Sequence, residues 1–80
     1  MKMKIYDNRG KTFDRYTVVY LDEPEGPGLF ACRSMSAQPY SPQGFCQMST
    51  AMVGKHLGTV ISLSDLPKDC QKVVLEDLKK

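Results

Sequence analysis

The run Phe13–Leu21, FDRYTVVYL, constrains this chain more than any other stretch. It is the longest β-prone segment, and its β-branched and aromatic residues suit a pleated surface. Tyr16, Val18 and Tyr20 fall on one face, with Asp14 at the end. Phe13, Thr17, Val19 and Leu21 share the other with Arg15. A strand apolar on both sides is central in its sheet, or is covered on its second face by a loop. The pattern therefore predicts a strand over residues 13–21 with cover needed on both sides.

Length limits what that cover can be. Residues 1–80 make one domain, and a chain this short buries only about 60–65% of its unfolded surface. A sheet with a helix on one face is the layer pair that fits. Met1, Met3 and Ile5 alternate with Lys2, Lys4 and Tyr6, which predicts a strand over 2–6, with the lysines suited to an edge. Asp7-Asn8-Arg9-Gly10 reads as the turn of a hairpin. Asp22 to Gly28, DEPEGPG, reads as a loop that excludes helix and interior strand. A third strand is expected over 29–36 and a fourth over 58–63.

The Pro-rich loop 37–46 cannot be a regular helix, yet it carries Tyr40, Phe45 and Cys46. It is expected to lie across the face of the sheet away from the helix and to pack an aromatic there. Gln47–Val53 is ambiguous, with a short helix ended by Gly54 as one option. Helix 66–79 carries a stripe of Leu66, Cys70, Val73, Val74 and Leu78. Ser64 and Asp65 offer N-caps, Pro67 suits the first turn, and Lys72–Glu76 and Glu76–Lys80 are spaced for ion pairs. The expected fold is α+β: a mainly antiparallel four-stranded sheet with the C-terminal helix on one face.

The net charge of +2 is weak, and no dense basic stripe marks a nucleic-acid binder. No carboxylate occurs between Glu25 and Asp65, however. A nucleic-acid surface built from this acid-free segment 26–64 and the basic N-terminal hairpin is therefore the second reading. No apolar run is long enough for a membrane span, and MKMKIYDNRG has no signal-type apolar core. Reduced thiols in a cytoplasmic protein are the expectation for the odd set Cys32, Cys46 and Cys70.

Sites of chemistry are hard to find. Cys32, Cys46, His56 and Cys70 lack the close pairs that structural zinc draws on. Cys46 with His56 would be a nucleophile and base, but nothing local supports it. Gly10-Lys11-Thr12 imitates the end of a Walker A loop, yet Ile5 stands where the first glycine is required and a strand follows. The turn amides with Arg9 and Lys11 are left as a weak anion site. Phe13 beside Arg15 is a base-stacking candidate, although core packing is the commoner use of such an aromatic. Asp14 is expected to reach back to Asn8 or Thr12, and Arg15 to bond carbonyls of the 37–46 loop.

The segment Asp7-Asn8-Arg9-Gly10-Lys11-Thr12-Phe13-Asp14-Arg15-Tyr16-Thr17-Val18 resembles a group of small phage and bacterial mobile-element proteins with no assigned activity. Pro42-Gln43-Gly44-Phe45, Gly54-Lys55-His56-Leu57-Gly58, and Asp65-Leu66-Pro67 followed by Gln71 are similar as well. The resemblance spans most of the chain, apart from the acidic stretch 22–28. It implies a shared fold, a phage or mobile-element origin with action in the host cytoplasm, and a shared surface at Asn8, Asp14, Arg15, Gly44 and His56. The expected function is a non-catalytic accessory module that binds a macromolecule, protein before nucleic acid, with no cofactor, no metal and no membrane. Exposed sheet edges leave monomer and homodimer open.

Overall fold

In the computed structural model, which describes residues 2–79, the alternating N-terminus forms strand β1 (Met3–Asp7). β2 (Tyr16–Gly26) and β3 (Leu29–Met35) follow, and the ambiguous stretch forms β4 (Cys46–Ala51). β5 (Thr59–Ile61) and helix α1 (Lys68–Leu78) complete the chain. The sheet is antiparallel in the order β4-β3-β2-β1-β5, so it has five strands among the described residues rather than four. Gln47–Ala51 is strand, not helix, because pairing with β3 in unbroken register from Phe30↔Ala51 to Met35↔Cys46 outweighs its weak local preference.

β2 is the central strand. Its Tyr16, Val18 and Tyr20 join Ile5 and Met35 under the helix stripe Leu66, Cys70, Val73 and Val74, all buried. Leu78 packs against this cluster at half burial. Full burial of a side chain such as Val18 or Val74 contributes about 1.5–3 kcal/mol each, so this layer holds most of the fold. The opposite face buries far less: Tyr6, Val19 and Cys32, with Leu21, Phe30 and Ala51 at its margin.

The cover on that second face is not the 37–46 loop. β4 and β5 lie at opposite edges of the sheet, so the chain between them must cross it. Residues 52–58 make that crossing and pack Val53 and Leu57 onto Val19 and its neighbours. The Pro-rich loop stays on the helix side. Its base is closed by paired bonds between Ser36 and Phe45, and the Cys70 thiol donates to the Ser36 carbonyl at 3.3 Å. Tyr40 is 52% exposed rather than packed on the sheet.

Other boundaries also move. β2 begins at Tyr16, after Phe13, Asp14 and Arg15, and continues through the acidic stretch to Gly26. In this stretch Pro24 and Gly26 pair with β3, while the β1 register ends at Tyr20, so Pro24 sits where the strand has a neighbour on one side only, a position that tolerates proline. Register shifts beside Pro24 mark the irregularity, and the turn shrinks to Pro27-Gly28, with Gly28 at φ +72. β1 is not an edge over Ile5–Asp7, where β5 pairs with it; only its Lys4 end is open.

The Asp65 carboxylate accepts both the N–H and the hydroxyl of Ser62 across a 3₁₀ turn at Leu63–Asp65, so Asp65 serves this turn and Pro67 alone precedes α1. Lys72 lies 3.9 Å from Asp69 rather than paired with Glu76. The Glu76–Lys80 pair, and Met1 of the N-terminal alternation, lie outside the described residues. All three cysteines are free. No described helix is long and apolar enough to cross a membrane.

Candidate binding cleft

The site begins at the end of β1. Asp7 is buried at the strand terminus and accepts two bonds from the Arg15 guanidinium, at 2.7 and 3.1 Å. It also accepts the Arg9 N–H at 2.8 Å. The Arg15 hydrogen bond holds the Asp7 carboxyl below its usual range, with burial opposing and the Arg9 N–H helping. Both charges therefore persist at neutral pH. Arg15 lies 5.3 Å from the centre of the Tyr16 ring, which fixes the guanidinium from a second side. Arg15 thus bonds Asp7, not the carbonyls of the 37–46 loop.

Asn8 organises the turn that follows. Its side chain accepts the Gly10 N–H at 2.9 Å and donates to the Thr12 hydroxyl at 2.7 Å. Arg9 and Gly10 take φ +64 and +86, a left-handed pair that swings the chain outward. The Asn8 N–H bonds the Arg15 carbonyl at 3.0 Å, so the hairpin holds a long loop, Arg9 to Asp14, between its paired ends. Asp14 offers its backbone carbonyl, not its carboxylate, to Asn8 at 3.4 Å. Phe13 is carried on this loop at 67% exposure, which overturns its assignment to the core.

The second wall is the Pro-rich loop. Gly44 bonds Ser41, Ser41 bonds Gln38, and the two turns fold the loop against its own base. A Cβ at Gly44 would collide with the carbonyl oxygen of Gln38, so only glycine fits there. Between the two walls lies an open cleft of about 530 Å³. Gly10 to Phe13 and Arg15 line one side; Ser36 to Gln38, Ser41, Gln43 and Gly44 line the other. The lining carries two cations, Lys11 and Arg15, three hydroxyls, two amides and one aromatic ring.

Of the five residues singled out from the sequence, Arg15 and Gly44 share this cleft. Asn8 and Asp14 stand behind it as the frame of the hairpin loop. His56 is exposed on the segment that crosses the opposite face. Cys46 sits opposite Met35 on the helix side, so Cys46 and His56 are on different faces and make no nucleophile–base pair. Among the described residues no group of His, Cys, Asp and Glu is arranged to hold a metal ion. Lys11 and Phe13, read from the sequence as an anion-site cation and a base-stacking ring, both line the cleft, while Asp7 and the loop hydroxyls and amides carry no such reading. Asp7 alone left a signal, as an acid at a strand end one turn from Arg15.

A second polar cluster lies under the helix. Arg33 donates to both oxygens of Asp77 at 3.1 and 2.7 Å, and the Tyr20 hydroxyl donates to the same carboxylate at 2.7 Å. Burial first, and then the Asp77 bond, push the Tyr20 phenol far above its usual value, so it stays a donor. A carboxylate in the last turn of a helix opposes the macrodipole, and Arg33 offsets this. The cluster fastens the end of α1 to β2 and β3.

The fold and cleft define a small α+β domain with an open surface site. No family model, curated protein or solved structure matches the chain.

Proposed function

We propose that the chain is a non-catalytic accessory module of phage or mobile-element type that works in the host cytoplasm and holds an extended segment of a partner protein in this cleft. One observation carries the reading: the walls set the exposed Phe13 ring beside Lys11 and Arg15, with no carboxylate in the lining. A segment that presents an apolar side chain next to an acidic one matches that lining, with the ring as anchor and Lys11 as the cation. Arg15 is already neutralised by Asp7, so it shapes the wall more than it supplies charge.

Nucleic acid is the second reading, favoured by the same exposed Phe13 beside Lys11. Against it, the acid-free segment contributes β4, whose side chains are neutral, rather than more positive surface. Selection of displayed peptides on the purified chain separates the two. Peptides with an acidic–apolar core should emerge, and Phe13→Ala or Lys11→Glu should weaken them about tenfold each. His56→Ala should leave them unchanged. Failure to select any peptide, with salt-sensitive binding to oligonucleotides instead, replaces the protein partner with nucleic acid.

A further inference from the structure

The two edges of the sheet are unlike. β5 spans only Thr59–Ile61 and is bounded by 3₁₀ turns at Lys55–Leu57 and Leu63–Asp65, so it has no room to add a strand. β4 is a six-residue strand in unbroken register with β3, and among the described residues its outer side has no strand beside it. The usual protections of an edge are lysine, proline, a bulge or a covering element. β4 has none of them. Its first five residues are exposed, and no charged side chain occurs from Ser34 to Gly54.

We infer that β4 pairs antiparallel with β4 of a second copy, about a two-fold axis perpendicular to the sheet at Met48. The sequence of the strand argues for that occupant. Read about Met48, CQMST is complementary to itself: Met48 faces Met48, Gln47 faces Ser49, and Cys46 faces Thr50. Apolar meets apolar at the centre, an amide meets a hydroxyl beside it, and no like charges meet. An axis at Ser49 would set Gln47 against Ala51 and lose that amide–hydroxyl pair. Met48 is 44% exposed in the single chain and lies on the helix side, where the buried core contains no β4 residue. Pairing covers it with its own copy and joins two five-stranded sheets into one. An isologous contact of this kind closes on itself and stops at two copies. One strand pair is a small interface, so the dimer is weak and depends on concentration.

Sedimentation velocity over a concentration series tests this. The wild-type chain should shift from monomer to dimer within the micromolar range. Met48→Lys, at an exposed position that keeps the monomer folded, should raise the dissociation constant more than about tenfold by placing two cations face to face. Circular dichroism should be unchanged. On a Cys46→Ser background, Met48→Cys should cross-link under mild oxidation, whereas Val60→Cys on the other edge, 59% exposed in the wild type, should not. A wild-type chain monomeric at hundreds of micromolar overturns the inference and leaves the edge to a strand from another protein. A dimer that survives Met48→Lys, or cross-links through Val60→Cys alone, overturns it as well. The cleft is lined by neither edge, so peptide binding by a monomer would leave its role intact.

Discussion

The two faces of the sheet are built from the same strands and secured in different ways. The helix face buries nine residues around Val18 and Val74 and adds the Tyr20–Asp77–Arg33 cluster at its margin. The opposite face buries three hydrophobic residues beside Thr17 and is roofed by a crossing segment whose only regular structure is a 3₁₀ turn. A helix covers a sheet with its own backbone hydrogen bonds already made. A crossing segment must find partners for its amides one by one. The helix face is therefore expected to carry the global stability and the opposite face to open first.

A carboxylate placed in the cover of each face is the most severe way to break that comparison. Val74→Asp should unfold the domain in water. An unpaired buried acid costs several kcal/mol, against a total of about 4–12 kcal/mol for a chain this size. Val53→Asp, at a half-buried position on the crossing segment itself, should leave the helix signal intact and shift the urea midpoint only modestly. Equal loss in circular dichroism for both variants would show the faces to be equally needed. Next in size is Asp77→Asn, which removes the charge that meets Arg33 and keeps the shape. It should cost about 2 kcal/mol, because Arg33 is left mostly buried with a weaker acceptor. The loss should appear in the unfolding of α1 and not in peptide binding at the cleft.

Much of the helix face was legible in the sequence. The stripe from Leu66 to Leu78 and the alternation in Tyr16–Tyr20 are periodic signals, and periodicity reports burial directly. The opposite face was not. Gln47–Ala51 has no alternation and contains methionine and alanine, which favour helix locally; only the partner strand β3 decides it. Without β4 the need for a crossing at 52–58 is hidden, and the Pro-rich loop is the remaining segment long enough to cover that face. The cleft was half legible. Arg15 and Gly44 stood out, but the alternation that buries Val19 extends in sequence to Phe13. Nothing local shows that the Asn8–Arg15 bond ends the pairing at Tyr16 and turns the ring outward.

Each face holds one buried thiol, and this gives the gentlest test, one that needs no mutation. Cys32 lies under the crossing segment and Cys70 under the helix stripe, while Cys46 is exposed. Burial pushes the Cys32 thiol upward and the Cys70 thiol up to about 11, so neither ionises readily in the closed state at neutral pH. Thiolate is the reacting form, so labelling of either requires an opening that returns the sulfur to water. Cys46 should react at once with a disulfide reagent. Cys32 should follow at a rate set by release of residues 52–58 from Val19. Cys70 should follow last, because its release requires α1 to leave the sheet and break the bond to the Ser36 carbonyl. Urea far below the midpoint should hardly change the Cys32 rate, since a local opening exposes little surface, and should accelerate Cys70 in step with global unfolding. Cys70 reacting before Cys32, or both following the same urea dependence, would mean that the two faces open together and that the thin roof is as firm as the helix.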